Sequence, residues 1–166
     1  MKNQNNLRQI IDESIRLEGH LAELYQQFAI WFPDDDHFWL TLAMEEKNHA
    51  AMLRSGKESF LDQGIFPTDL LGPFSGMKQV NQRISEFIQQ GKLNKPTRTR
   101  VFNTAYRLEV SAGEYHFQVF ANKPFHSDME KVFKQLIGDD KDHAQRILEY
   151  MKQHDIELWG SERSGG

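Results

Sequence analysis

The chain has 166 residues, 39% of them hydrophobic and 27% charged, with a formal net charge of −4 and no cysteine. Length and composition point to one ordered domain with a core of its own and not to a disordered chain. The missing cysteine excludes disulfides, thiol catalysis and every iron or iron–sulfur centre held by thiolates. Basic residues are balanced by acidic ones and form no block, which argues against nucleic-acid binding.

The opening MKNQNNLRQI lacks the apolar core of a secretory signal, and no window is apolar enough for a membrane span. A cytoplasmic location without membrane contact is expected. A first helix is predicted over 5–30, where Leu7, Ile11, Ser14, Glu18, Leu21, Tyr25 and Phe28 recur at threes and fours. WFPDDD interrupts it: Pro33 suits a first helical turn, and the three aspartates suit a helix N-terminus. The second helix is predicted over 34–61, with the stripe Trp39, Leu42, Glu46, His49 and Leu53. Residues 62–76 carry two prolines and three glycines and read as a connection.

A shorter helix is predicted over 77–90, punctuated by Gly91 and Pro96. The third long helix covers 97–121, with Phe102, Ala105, Glu109, Ala112, His116 and Val119 on one face. The fourth covers 128–153, with Phe133, Leu136, Asp140, His143, Ile147 and Tyr150 in line. Hardly any segment alternates with period two, so no sheet is expected. The reading is all-α: an antiparallel four-helix bundle over 1–155. A long crossover holding the short extra helix joins the second and third long helices, and 156–166 form a polar tail. Trp31, Phe32, Phe38 and Trp39 are expected to pack one end.

The two halves echo one another. RLEGHLAELYQQFA at 16–29 is similar to RLEVSAGEYHFQVFA at 107–121, and LAMEEKNHAAML at 42–53 to LIGDDKDHAQRI at 136–147. Both contain an acidic residue three before a histidine, inside an apolar stripe. Three residues is nearly one turn, so Glu46 and His49 share a face, as do Asp140 and His143. An ionised carboxylate in such a stripe is costly unless paired or bound to metal.

With Glu18 and Glu109 the set is four carboxylates and two imidazoles, one carboxylate per long helix. That inventory builds a carboxylate-bridged dinuclear metal site, with Glu46 and Asp140 bridging. The competing reading is a buried polar network that fixes register without metal. Tyr25, seven beyond Glu18, is placed to hydrogen-bond a ligand carboxylate or to act as a redox-active phenol. His116 holds the equivalent place after Glu109. Glu45 and Asp139 precede the two histidines by four but fall off the stripes. Glu23 and Glu114 read as surface residues, and His20, His37, His126 and His154 as exposed.

The ordered set of Glu18, Glu46-x-x-His49, Glu109 and an acidic-x-x-His at 140–143 resembles the ferritin-like superfamily, closest to its rubrerythrin-type branch, over about 7–153. The resemblance implies a di-iron centre, with manganese or mixed iron and manganese as alternatives and zinc as a possible occupant after purification. It also implies peroxide reduction or ferrous-iron oxidation, and a homodimer or higher homo-oligomer. Two departures stand out. Asp140 replaces the family's glutamate, and the cysteine-ligated iron module of full rubrerythrins is missing, so catalysis would need an external electron donor. A non-catalytic structural or partner-binding bundle, and a di-iron hydroxylase of a small organic substrate, are the alternative functions.

Overall fold

The computed structural model describes residues 2–61, 74–120 and 128–160, and within them the side chains outside 2–7, 59–61, 74, 113–120, 128–137 and 140. The described residues are all-α: α1 Lys2–Trp31, a 3-10 turn Pro33–Asp35, α2 Asp36–Leu61, α3 Phe74–Leu93, α4 Arg98–Phe120 and α5 Asp128–Gln153. The periodicity placed these helices to within a few residues. Among the described residues no helix is long and apolar enough to cross a membrane.

Helix directions follow from pairs at opposite ends. Lys57 bonds Asp12 near one end of α1 and α2, and Trp39 meets Phe28 edge-on at 5.0 Å near the other, so the two run antiparallel. Phe102 on α4 stacks on Tyr150 of α5 at 5.3 Å, while Glu109 approaches His143, which makes that pair antiparallel as well. Helix α3 runs alongside α1 in the same direction. Asn81 bonds Glu13 at one end, and Phe87 meets Phe28 near the other. It thus returns the chain along the bundle before α4 begins. A Cβ built on Gly91 of α3 would lie 2.1 Å from the Trp31 ring, so the bare backbone is what lets the indole seat there.

The stripes turn inward as their spacing requires. Leu21, Tyr25, Phe28, Trp39, Leu42 and Phe102 are fully buried. Helix α2 starts two residues later than the aspartates alone suggest. Phe32, preceding a proline, is extended at φ −131°, Pro33 opens a tighter turn, and Asp35 is drawn inward. Asp35 is 2% exposed and accepts from Arg98 Nε at 2.8 Å, Arg98 Nη2 at 2.7 Å and the Tyr150 hydroxyl at 2.8 Å. It ties the α1–α2 turn to α4 and α5.

Burial works against ionising Asp35, but Arg98 and Tyr150 outweigh it and hold its carboxyl below the usual 3.8. A carboxyl with a lowered folded-state pKa stabilises above its unfolded value and loses that contribution as pH falls through the folded one. Asp35→Ala should cost about 2–3 kcal/mol at neutral pH, by stranding the Tyr150 hydroxyl and the half-buried guanidinium. Chemical denaturation at neutral pH and well below 3.8 checks this: the gap between the two proteins should close in acid.

After α5 the chain turns at Asp155, whose φ is +54°, and Ile156 N–H bonds the Met151 carbonyl at 2.8 Å. Ile156 and Leu158 pack against the core. The fully buried Asn103 amide donates to the Glu157 carbonyl at 2.8 Å, and its oxygen accepts from Trp159 N–H at 2.7 Å. The first part of the expected tail is therefore tied to α4; residues 161–166 lie outside the described residues.

Candidate metal centre

Five polar side chains converge between α1, α2, α4 and α5. Glu18 and Glu46 are 0% exposed, Glu109 and His143 1%, and His49 5%. Each sits on the apolar stripe of its helix, so packing the stripes together forces these groups inward with them. Five such groups at one spot would be costly without mutual pairing or a cation.

They form two clusters, Glu18/Glu46/His49 and Glu46/Glu109/His143, each offering three ligand atoms within 4.8 Å of one another. Glu46 belongs to both. Its Oε2 lies 3.1 Å from His49 Nδ1, and its Oε1 lies 2.7 Å from His143 Nδ1. Glu18 Oε2 approaches His49 Nδ1 at 3.4 Å, and Glu109 Oε2 approaches His143 Nδ1 at 3.6 Å. The two imidazoles face each other with centroids 5.5 Å apart. Two buried Glu/Glu/His triads sharing one carboxylate are geometrically compatible with a dinuclear metal site.

The outer shell fits the same purpose. His49 Nε2 lies 3.2 Å from Asp139 Oδ2, and His143 Nε2 lies 2.8 Å from Glu45 Oε2, which Arg146 also holds at 2.7 Å. An Nε2–H donated outward leaves each Nδ1 lone pair aimed at the centre. Glu46 Oε1 and His143 Nδ1 are buried and, despite their 2.7 Å separation, make no hydrogen bond with each other or with any described group. A buried carboxylate oxygen and a buried imidazole nitrogen left over in this way are atoms that a cation would satisfy. Carboxylate oxygens with one imidazole per cluster suit iron or manganese and admit zinc.

Without metal the cluster holds protons. Burial, then the charge of Glu109, push the Glu46 carboxyl up to about 8, against the opposing pull of the His143 and His49 imidazoles beside it. Burial disfavours the charged imidazoles, but Glu18 and Glu46 overcome it at His49 and raise it to about 10, and Glu109 and Glu46 raise His143 to about 11. At Glu45, burial is outweighed by Arg146 and His143, which hold the carboxyl below its usual range.

Of the six ligands expected from the sequence, the structure brings Glu18, Glu46, His49, Glu109 and His143 together; the side chain of Asp140 lies outside the described residues, as do those of Glu114 and His116. Tyr25 is fully buried, and its hydroxyl donates to Glu109 Oε1. Glu45 and Asp139 leave their own stripes as expected, yet each reaches the imidazole of the opposite helix. The signal for that role was the doubled acid, Glu45-Glu46 and Asp139-Asp140, before each histidine. Glu23, His37 and His154 are exposed. His20, expected to be exposed, is half-buried, with Nδ1 2.9 Å from Asn81 Oδ1, because α3 packs over it. His126 lies outside the described residues. The chain matches no protein-family model, no curated protein and no solved structure.

Proposed function

We propose that this chain is a ferritin-like protein of rubrerythrin type. Its paired clusters hold two divalent ions, iron foremost and manganese as the alternative, and it reduces peroxide or dioxygen at the expense of ferrous iron or an external electron donor. The observation that carries this reading is the division of Glu46 between two imidazoles on different helices. A carboxylate shared in this way is what two ions lying between the clusters would use. The helix directions support it too, with α3 as the long crossover between an α1–α2 and an α4–α5 hairpin.

In this reading His49 and Glu18 would hold one ion, His143 and Glu109 would hold the other, and Glu46 would serve both. Asp140 stands to His143 in sequence as Glu46 stands to His49, and by that correspondence would be the second shared ligand. Bound iron would supply the electrons that peroxide or dioxygen accepts, which zinc cannot. Asp139 and Glu45 fix the imidazole tautomers. Tyr25 is the catalytic residue of the set: its hydroxyl orients Glu109 and keeps a proton at Glu109 Oε1. Trp39 and Leu42, both fully buried, continue the apolar stripe that carries Glu46 and His49. The active form is a homodimer or larger homo-oligomer in the cytoplasm, supplied by a separate electron donor because the chain has no thiolate-bound iron of its own.

Anaerobic ferrous titration followed by peroxide is the test. Two irons per chain, one for each cluster, should bind and develop a ferric absorption in stoichiometric amount. A chain that takes up no iron, or iron that peroxide leaves ferrous, would refute the assignment.

A further inference from the structure

Aromatic side chains lead away from the centre to the surface. Tyr25, hydrogen-bonded to Glu109, stacks on Trp39 with centroids 5.5 Å apart and planes 24° apart. Trp39 meets Phe102 at 4.5 Å and Phe38 at 5.0 Å, and these stack on Tyr150 at 5.3 Å and 4.2 Å. Tyr150 is half-buried, lines an open pocket with His37, Phe38 and Arg146, and carries the exposed His154 on its ring at 4.1 Å.

Packing alone explains rings but not these rings. Phenylalanine would fill the same space without polar atoms to satisfy. Instead each end of the path is a tyrosine whose hydroxyl donates to a buried carboxylate, Tyr25 to Glu109 and Tyr150 to Asp35. Between them stands a fully buried indole whose N–H has no hydrogen-bond partner among the described residues, an arrangement that costs stability. Tyrosine and tryptophan are the side chains left in a cysteine-free chain that most readily give up one electron.

We propose that Tyr25, Trp39 and Tyr150 form a one-electron relay between the buried Glu/His centre and the pocket at Tyr150, where a small one-electron reductant (a ferrous chelate or a reduced flavin) delivers its electron. The direction of flow rests on the redox reading of the centre; the relay itself does not. Tyr25 gives an electron to the oxidised centre and its phenolic proton to Glu109 Oε1. The neutral tyrosyl radical then regains an electron from Trp39 and its proton from Glu109. Trp39, with no acceptor for its N–H, is left as a radical cation and takes an electron from Tyr150, whose proton passes to Asp35 Oδ1. The reductant returns the electron to Tyr150, and Asp35 returns the proton. One electron moves from reductant to centre, and every O–H bond broken is re-formed.

The relay can be tested without metal. Because the chain has no cysteine, His37→Cys at the rim of the pocket gives a single attachment point for a ruthenium photo-oxidant. Flash oxidation of the labelled, metal-free full chain, with ring-deuterated tyrosine and electron paramagnetic resonance, should show a Tyr25 radical that Tyr25→Phe removes. Trp39→Phe should lose that radical while keeping the one at Tyr150. Tyr150→Phe, which leaves the deep core intact, should lose it as well, and Trp39→Tyr should restore it. An undiminished Tyr25 radical in both Trp39→Phe and Tyr150→Phe overturns the relay. Loss of the radical in a chain that binds no iron leaves the relay standing and removes the metal assignment. Two bound irons with undiminished Tyr25 radical do the reverse.

Discussion

Glu46→Ala should abolish tight binding of both ions, whereas His49→Ala should remove one and leave the other. The asymmetry follows from the two oxygens of Glu46, one 3.1 Å from His49 Nδ1 and the other 2.7 Å from His143 Nδ1. Deleting the shared carboxylate takes an anionic ligand from each cluster, and the charge that offsets two cations falls at the point between them. Deleting His49 leaves Glu46, Glu109 and His143 as they were. Removing an outer carboxylate is milder: Asp139→Ala or Glu45→Ala should weaken binding about 10–100-fold, the usual consequence of losing a partner that orients a ligand histidine. Anaerobic calorimetric titration with ferrous ion and metal content after gel filtration read all four variants. One tight ion surviving in Glu46→Ala would show that the carboxylate does not bridge.

The metal-free protein should lose stability steadily as pH rises from mildly acidic to strongly alkaline, and bound metal should remove that loss. Glu46, His49 and His143 all have folded-state values above their ordinary ones, at about 8, 10 and 11. A group whose pKa is raised by folding contributes fully below its unfolded value and loses that contribution as pH climbs through the folded one. The window therefore opens near the ordinary values of 4.5 and 6.5 and closes near 11. Because the three groups touch, they titrate as a unit and not as three separate steps. Cation loading at neutral pH must expel the protons of Glu46, His49 and His143, so affinity should rise steeply with pH and binding should acidify a weakly buffered solution. Glu46→Gln mimics the protonated acid. It should match the parent metal-free protein at neutral pH and lose less above pH 8. Thermal melts across pH, with and without chelator, give the result; a metal-free protein equally stable at neutral and strongly alkaline pH would contradict it.

Much of this centre was legible because a helix repeats every three to four residues. Glu18, Glu46, His49, Glu109 and His143 each interrupt an otherwise apolar stripe, and a stripe can face only the core. What one helix cannot show is where a side chain goes once it leaves the stripe. Glu45 and Asp139 point off their own faces, yet antiparallel packing of α2 against α5 sets each beside the other helix's imidazole. Asp35 was hidden for a similar reason. Its place before α2 suggested dipole stabilisation, while the partners that bury it, Arg98 and Tyr150, lie 63 and 115 residues away. His20 read as exposed because nothing in α1 announces that α3 will cover it.

Helix α3 lends no group to either cluster among the described residues; what fastens it is a buried apolar stripe of Met77, Val80, Ile84 and Ile88, with Asn81 against Glu13 and the Trp31 indole over Gly91. Architecture and chemistry are thereby uncoupled along the chain. Residues 74–93 answer to packing alone: any helix that keeps the buried stripe of Met77, Val80, Ile84 and Ile88 can take their place while the candidate centre stays as it is. Helices α1, α2, α4 and α5 have no such licence, since each supplies a side chain that the others cannot replace.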